Sequence, residues 1–321
     1  MDSEALVQLA LKALPGTQKQ LAARLGVSPT QITKWKGGEH MSRDMEDRLR
    51  ALAKIGDRDP VFVLEAGSVE NADKWGKLIR QLAEVANENA ETGYDTYPLE
   101  DDLGLLPGAT FRILKDIGAS LPAEFPKNLD FDYDRVDEDE HNKFWDQIDT
   151  NPHAALIYKI YKSLSDVWGF YAAYIDELMN DDDLGLDGTD AQNIEPCLIY
   201  LAATKVEVSS DFAPKFGEFK HRTTKDYVEW LTIVKDKCFR SGTPMKAELL
   251  NMVYADHEAI GHEAEAESLG FNASRLHPDI YTNELLAGMR TIHQVLPAIL
   301  KKLGIDEEFK LDTSEFYIGD T

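Results

Sequence analysis

Cysteine is scarce in this sequence, and long apolar segments are missing from it. The 321 residues include two cysteines, Cys197 and Cys238, which are too few and too far apart for a disulfide framework or a zinc cluster. No uninterrupted apolar run approaches the roughly 18–20 residues of a membrane-spanning helix. The N-terminus places two acids before its first base, unlike a signal peptide. With 43% hydrophobic and 29% charged residues, the chain is expected to be an ordinary globular protein of the cytoplasm, without a membrane partner.

Basic residues are also few, and their distribution is uneven. Lys and Arg number 34 against 58 Asp and Glu, which gives a net charge of −24. Residues 1–58, called the head below, hold ten bases and seven acids and carry +3, whereas residues 59–321, the body, carry −27. A chain this acidic should as a whole be repelled by nucleic acid. We therefore predict two domains with separate roles, 1–58 and 59–321, and leave open a further division of the body near residue 150.

Helical spacing dominates the body. Apolar residues recur every three or four positions, as they do on one face of a helix, in three segments: residues 69–90, 152–179 and 191–206. The short apolar run at residues 61–64 is compatible with either a strand or a buried turn. The predicted fold is mainly α: a small N-terminal bundle followed by a larger, acidic, all-helical domain.

Capping signals place further helix boundaries in the body. Thr224 is expected to cap a helix that runs through Cys238, and Thr243-Pro244 to begin another. Pro278 should open a last long helix that ends at Gly304, with a kink at Pro297.

The strongest local pattern lies in residues 17–40, TQKQLAARLGVSPTQITKWKGGEH. Thr17 and Ser28 are placed to cap two short helices, and Gly26 suits the left-handed residue after a helix end. The apolar residues of both helices share an inner face: Leu21, Ala22, Leu25, Ile32 and Trp35. Polar residues face outward near the start of the second helix: Thr30, Gln31, Thr33 and Lys34. Two short helices about a glycine turn predict a helix-turn-helix.

This pattern resembles the Cro/C1 repressor-type helix-turn-helix family over about residues 3–56. The matching positions are Thr17-Gln18, Leu21-Ala22, Leu25-Gly26-Val27-Ser28, Ile32, Trp35 and Gly37-Gly38-Glu39. The resemblance implies that the helix beginning at Ser28 lies in the major groove of DNA and that Gln18 contacts a phosphate. The candidate DNA-binding residues are Thr17, Gln18, Ser28, Thr30, Gln31, Thr33, Lys34, Lys36 and Arg43.

Other constellations in the body carry weaker signals. His257 and His262 are five residues apart, so they lack the His-Glu-x-x-His spacing of a zinc peptidase. The acidic segment from Asp183 to Glu195 misses the ligand spacing of a calcium loop. The nine acids between Asp130 and Asp149 form either a solvated face or a docking strip for a basic partner. The aromatic residues of the body are either core or the lining of a ligand cavity: Tyr158, Tyr161, Trp168, Tyr171, Tyr174 and Trp230.

The expected function is that of a sequence-specific DNA-binding transcriptional regulator. Specificity of a head this small normally needs two copies on neighbouring half-sites, so a homodimer on a palindromic operator is expected. The body would supply dimerisation and a surface for a small-molecule or protein effector. We expect neither catalysis nor a metal or other cofactor. The alternative is an interaction protein, antirepressor-like or antitoxin-like, whose helix-turn-helix does not read DNA.

Overall fold

The computed structural model describes residues 3–14, 16–131, 133, 138–245, 249–271 and 278–304, without the side chains of residues 138–143 and 278–284. Within these ranges the chain forms sixteen α-helices and no β-strand, so the prediction of a mainly α fold is confirmed. None of the described helices combines the length and the continuous apolar surface that a bilayer crossing requires.

Four helices make up the head. Their bounds are α1 Ser3–Ala13, α2 Gln18–Leu25, α3 Pro29–Lys36 and α4 Arg43–Ala53. α1 packs against both α3 and α4, and α2 packs against α3. The apolar residues of these helices face one another, because each helix carries a buried stripe and an exposed polar side.

The remaining helices form the body. Their bounds are α5 Pro60–Ala66, α6 Val69–Glu88, α7 Tyr97–Glu100, α8 Leu106–Asp116, α9 Glu138–Thr150, α10 Pro152–Tyr174, α11 Asp176–Met179, α12 Leu198–Ala203, α13 Phe216–Ser241, α14 Asn251–Tyr254, α15 His257–Ser268 and α16 Pro278–Leu303. Short 3₁₀ helices cover Lys127–Leu129, Asp182–Leu184 and Glu195–Cys197.

α10 is the central helix of the body. The carboxamide oxygen of Asn151 accepts from the backbone N–H groups of His153 and Ala154, both at 3.1 Å, and so caps the helix start. From there α10 contacts α6, α9, α11, α12 and α15. The contact with α15 is close: a β-carbon added at Gly261 would lie 2.8 Å from Cγ of Asp166 on α10. The burial of both sides of α10 explains why its sequence is apolar over most of its surface.

α5 connects the head with the body. It contacts α1 of the head on one side and α6 and α8 of the body on the other. The buried apolar residues form one cluster that extends from Leu6 to Ala264. Outside this cluster, the Arg58 guanidinium donates to both carboxylate oxygens of Asp73, at 2.6 and 3.0 Å.

The apolar run at residues 61–64 is helical, so neither the strand nor the buried turn considered from the sequence is correct. The Asp59 carboxylate accepts from the backbone N–H of Val61 at 2.9 Å, and Pro60 occupies the first turn. Phe62 and Val63 are both buried, because one side of α5 faces α1 and the other faces α6 and α8. Residues 61–64 are all apolar because little of this segment is exposed to water.

Two predicted helix starts are wrong. α13 begins at Phe216, about two turns before Thr224, because buried Phe219 continues the apolar face of the helix toward its N-terminus. Residues 243–245 are not helical, and the next described helix is α14. The chain leaves α13 at Gly242 and immediately buries Met245 in the core, which keeps this segment from winding into the helix expected at Thr243-Pro244.

The last helix runs from Pro278 to Leu303, as the sequence predicted, and Gly304 follows it with a φ of +71°. Pro297 lies inside the helix without ending it, and the expected kink stays a prediction. In the predicted acidic strip, Asp130 pairs with Lys74 at 2.8 Å. The side chains from Asp132 to Glu140, apart from Tyr133, lie outside the described residues.

Candidate nucleic-acid interface

The turn between α2 and α3 consists of three residues, and Gly26 is its critical position. Gly26 has a φ of +71°, in the left-handed region that disfavours residues with a side chain. The backbone N–H of Val27 donates to the carbonyl of Ala22 at 3.0 Å, which satisfies the C-terminus of α2. No atom lies within 4 Å of a β-carbon added at Gly26, so the backbone conformation and not the available space requires glycine here.

Local capping sets the start of both helices. The Gln20 carboxamide oxygen accepts from the Thr17 backbone N–H at 2.8 Å at the beginning of α2. The Ser28 hydroxyl accepts from the Gln31 N–H at 3.2 Å at the beginning of α3, where Pro29 takes the first helical position. These contacts agree with the helix starts that the sequence predicted.

The inner face of the α2–α3 pair is buried as expected. Leu21, Ala22 and Leu25 on α2 and Ile32 and Trp35 on α3 all belong to the apolar core. Their burial fixes the rotation of α3 about its own axis. Thr33 and Lys34, which lie between Ile32 and Trp35, must therefore point away from the core, and Gln31 lies at the edge of the buried face.

Ser3 on α1 is a positioning residue that the sequence did not reveal. Its hydroxyl oxygen lies 3.0 Å from the carbonyl oxygen of Trp35 and 2.9 Å from that of Glu39. α1 thereby holds the C-terminal end of α3 and the segment that follows it. No local pattern around Ser3 indicates this role, because its partners lie more than thirty residues away in the chain.

The outer face of α3 is polar. Thr30, Thr33 and Lys34 are exposed, and Gln31 is half-buried. The Thr33 hydroxyl donates to the Pro29 carbonyl at 3.2 Å, so it is partly occupied within the helix. Ser28 is exposed, although its oxygen serves the helix cap. The side chains best placed to donate to an external partner are those of Gln31 and Lys34.

Lys34 has an acidic neighbour that the sequence did not predict. Its ammonium nitrogen lies 3.4 Å from a carboxylate oxygen of Glu39, and the two side chains are 50% and 55% exposed. An ion pair this exposed contributes little to stability, in the range of about 0–1 kcal/mol. Lys34 can therefore exchange Glu39 for another acceptor at small cost, and Glu39 disfavours an anionic ligand that does not engage Lys34.

The remaining candidate residues lie at helix ends around α3. Thr17 and Gln18 are at the N-terminus of α2, where free N–H groups and the helix dipole favour an anion. Lys36 ends α3, and exposed Arg43 begins α4, which packs on α1. Neither base forms an ion pair within the described part of the chain. The structure thus places six candidates, Ser28 to Lys36, on or directly before α3. Thr17 and Gln18 lie at the N-terminus of α2, which packs against α3, and Arg43 lies on α4.

The body contains a cavity of about 330 Å³ between α12 and α13. Its lining includes the polar residues Asp190, Asn193, Tyr200, Arg222, Thr223 and Asp226, and Trp230 borders it. The other aromatic residues weighed as a pocket lining are mostly core: Tyr161, Trp168, Tyr171 and Tyr174 are buried. Burial raises the pKa of the Tyr161 hydroxyl, which lies 2.6 Å from the Thr110 hydroxyl and not in an open site.

His257 of α15 takes part in helix packing, whereas His262 is exposed. Nδ1 of His257 lies 2.5 Å from a carboxylate oxygen of Asp166 on α10, and this contact ties the two helices together. Within the described ranges, no three metal-ligating side chains come together.

Comparison with protein-family models, with curated proteins and with solved structures yields no match to this chain.

Proposed function

We propose that this protein is a sequence-specific DNA-binding transcriptional regulator of the cytoplasm whose head binds DNA through α3. The observation that carries the proposal is the division of α3 into two sides. Ile32 and Trp35 are buried, whereas the polar residues around them are exposed or, at Gln31, half-buried, on a helix that follows a tight glycine turn. A helix of this kind presents its N-terminal side chains to the base edges of the major groove.

The chemistry of these side chains suits direct readout of base pairs. The Gln31 carboxamide can donate to and accept from adenine, and the Lys34 ammonium can donate to the O6 and N7 acceptors of guanine. Thr30 can contact a thymine methyl group or a base acceptor. Gln18, Lys36 and Arg43 are polar or basic and suit phosphate contacts, which orient the helix without reading sequence.

The charge distribution supports the head as the DNA-binding part. The head carries +3, and the body carries −27. Because the DNA backbone is itself an anion, approach through the body is electrostatically unfavourable, whereas approach through the head is favourable. The acidic body also limits binding to DNA of arbitrary sequence, since such binding depends almost entirely on charge.

The proposal is tested by selecting bound sequences from a random duplex DNA pool with the full-length protein. We expect one enriched motif made of two half-sites about one helical turn apart. Binding to that motif should weaken as salt increases, because phosphate contacts release counterions.

Single substitutions then locate the readout. Gln31→Ala and Lys34→Ala should each cost roughly 1–3 kcal/mol on the selected motif and relax its preference at one or two positions. Lys12→Ala is the matched control, because it removes an exposed side chain of the head that lies on α1 and outside the candidate set. Equal weakening on every sequence would make Lys34 a backbone contact. If no motif is enriched and no DNA is bound at low salt, the proposal is refuted in favour of an interaction protein of the antirepressor or antitoxin kind.

A further inference from the structure

α16 carries an unusual concentration of exposed apolar side chains. Eight of the fourteen large hydrophobic residues that are exposed in the described chain lie on this helix: Leu285, Leu286, Met289, Ile292, Val295, Leu296, Ile299 and Leu303. Their exposed fractions range from 38% to 65%. Among the residues that the structure describes, α16 has few contacts, mainly with α13. A monomeric soluble protein rarely leaves so many apolar side chains in one row in water.

Six of these residues follow a coiled-coil spacing. Leu285, Met289, Ile292, Leu296, Ile299 and Leu303 are separated by steps of four, three, four, three and four. Steps that alternate between four and three repeat every seven residues, and this heptad repeat keeps every member on one seam when two helices wind around each other with a left-handed supercoil. Leu286 and Val295 flank the seam and widen it. The spacing thus indicates that another helix packs against this exposed face of α16.

We propose that α16 pairs with α16 of a second copy of this chain, and that this coiled coil is the dimerisation surface. The area is sufficient: complete burial of eight such half-exposed side chains removes on the order of 600–800 Å² per protomer. A standard interface buries about 800 Å² per partner. The purpose that we assign to the dimer, which is to join two heads, rests on the proposed function. The observations that support the coiled coil are independent of DNA binding.

Charge favours a second copy at this position. The body as a whole carries −27, so two bodies repel each other over most of their surface. α16 is an exception, because its 26 residues include three bases, Arg290, Lys301 and Lys302, and only two acids. The helix is therefore a part of the body where two copies can approach without strong like-charge repulsion.

The composition of the seam argues against a lipid surface as its partner. Helices that lie on a bilayer typically place Trp or Phe among their apolar residues and many Lys or Arg residues on their polar face. The eight exposed apolar residues of α16 include no aromatic residue, and three bases along the whole helix are few.

The test measures the mass of the full-length protein by sedimentation velocity across a dilution series in the micromolar range. We expect a dimer of twice the 36.1 kDa chain mass. The variant Ile292→Glu/Leu296→Glu places two acids in the seam and should weaken self-association at least about 100-fold, because each acid must be desolvated without a partner. Both side chains are exposed in the single chain, so the far-ultraviolet spectrum and the melting of a dilute sample should be unchanged.

The matched control is Gln294→Glu/Ala298→Glu. It adds the same two acids with the same spacing to the opposite side of α16, where both residues are also exposed, and it should remain dimeric. A monomeric wild-type protein, or a seam variant that still dimerises, would overturn the proposal. Retention of the wild-type protein on phospholipid vesicles, lost in the seam variant while the protein is monomeric, would identify a bilayer as the true partner and also overturn it.

DNA binding is measured separately so that the two proposals can fail independently. If the protein dimerises through α16 but enriches no DNA motif, the proposed function fails and the coiled coil stands. If the protein binds a motif as a monomer, the coiled coil fails and the DNA-binding function stands. If both hold, the seam variant should still bind a single half-site but lose the tighter binding of two joined heads to two half-sites.

Discussion

Replacement of Trp35 tests how the head holds α3 in place. The Trp35 side chain is 4% exposed and lies in the core with Leu21, Leu25 and Ile32. A buried Trp withdraws roughly 200 Å² from water, and about 25 cal/mol per Å² converts this area to about 5 kcal/mol. Large-to-small substitutions of this type cost roughly 3–5 kcal/mol. Since a domain is stable by only about 5–15 kcal/mol, Trp35→Ala should remove much of the stability of the head.

The loss should be concentrated in the head. α3 contacts α1 and α2, whereas the core around α10 is built from other helices. Amide hydrogen exchange measures stability segment by segment, so it separates these regions. We expect amides of α1 to α3 to exchange at least about 100-fold faster in Trp35→Ala, while amides of α6 and α10 keep most of their protection.

Lys36→Ala is the control for this prediction. Lys36 lies on the same helix one residue later, but its side chain is exposed, so its removal should change stability by less than about 0.5 kcal/mol. Less than a tenfold increase in the exchange of α1 to α3 in Trp35→Ala would refute the view that Trp35 holds the α2–α3 pair together. Equal acceleration in α10 would show that the head has no stability of its own.

Three further substitutions test other parts of the fold. Gly26→Ala should destabilise the head by roughly 1–2 kcal/mol in thermal melts, because only the left-handed backbone opposes it; an unchanged melting temperature would contradict this. Arg58→Met breaks the half-exposed pair with Asp73 and should cost less than about 1 kcal/mol in denaturant titrations, whereas a larger loss would mean that this pair locks the head to the body. Burial lowers the pKa of Lys205 to about 8. Above that pH the unfolded chain binds more protons than the folded chain does, so the free energy of unfolding should rise between pH 8 and 10. Lys205→Met should abolish this rise, and a rise that persists would assign it to another group.

The ends and the buried face of α2 and α3 could be predicted from sequence because their determinants are local. Ser28 caps α3 through a residue three positions away, and Gly26 ends α2 through its own dihedral angles. The inward positions of Ile32 and Trp35 follow from the period of a helix. Signals of this kind need no knowledge of the rest of the chain. The pairing of Lys34 with Glu39 depends on side-chain rotamers and could not be predicted in the same way.

The body was predicted less accurately because its helix boundaries depend on packing. α13 extends to Phe216 since Phe219 has a core to enter, and the sequence around Thr224 contains a better capping residue than the one the structure uses. The segment after Gly242 carries a capping residue and a proline in the expected order, yet burial of Met245 prevails over that signal. In both places tertiary contact outweighs local propensity, which amounts to less than about 1 kcal/mol per residue.

The opposite charges of head and body have a consequence for how a DNA-bound state would respond to salt. α5 contacts both α1 and the helices of the body, so a head on DNA brings the acidic body near the same duplex. In the proposed complex with DNA, added salt would weaken the phosphate contacts of the head, but it would also screen the repulsion between DNA and the body. The two effects oppose each other, and the second fades once the screening length falls to about 8 Å at 0.15 M. The affinity of the full-length protein for DNA should therefore fall less steeply with salt at low ionic strength than its phosphate contacts alone would require. As the body becomes screened, the salt dependence should approach the slope that those contacts set.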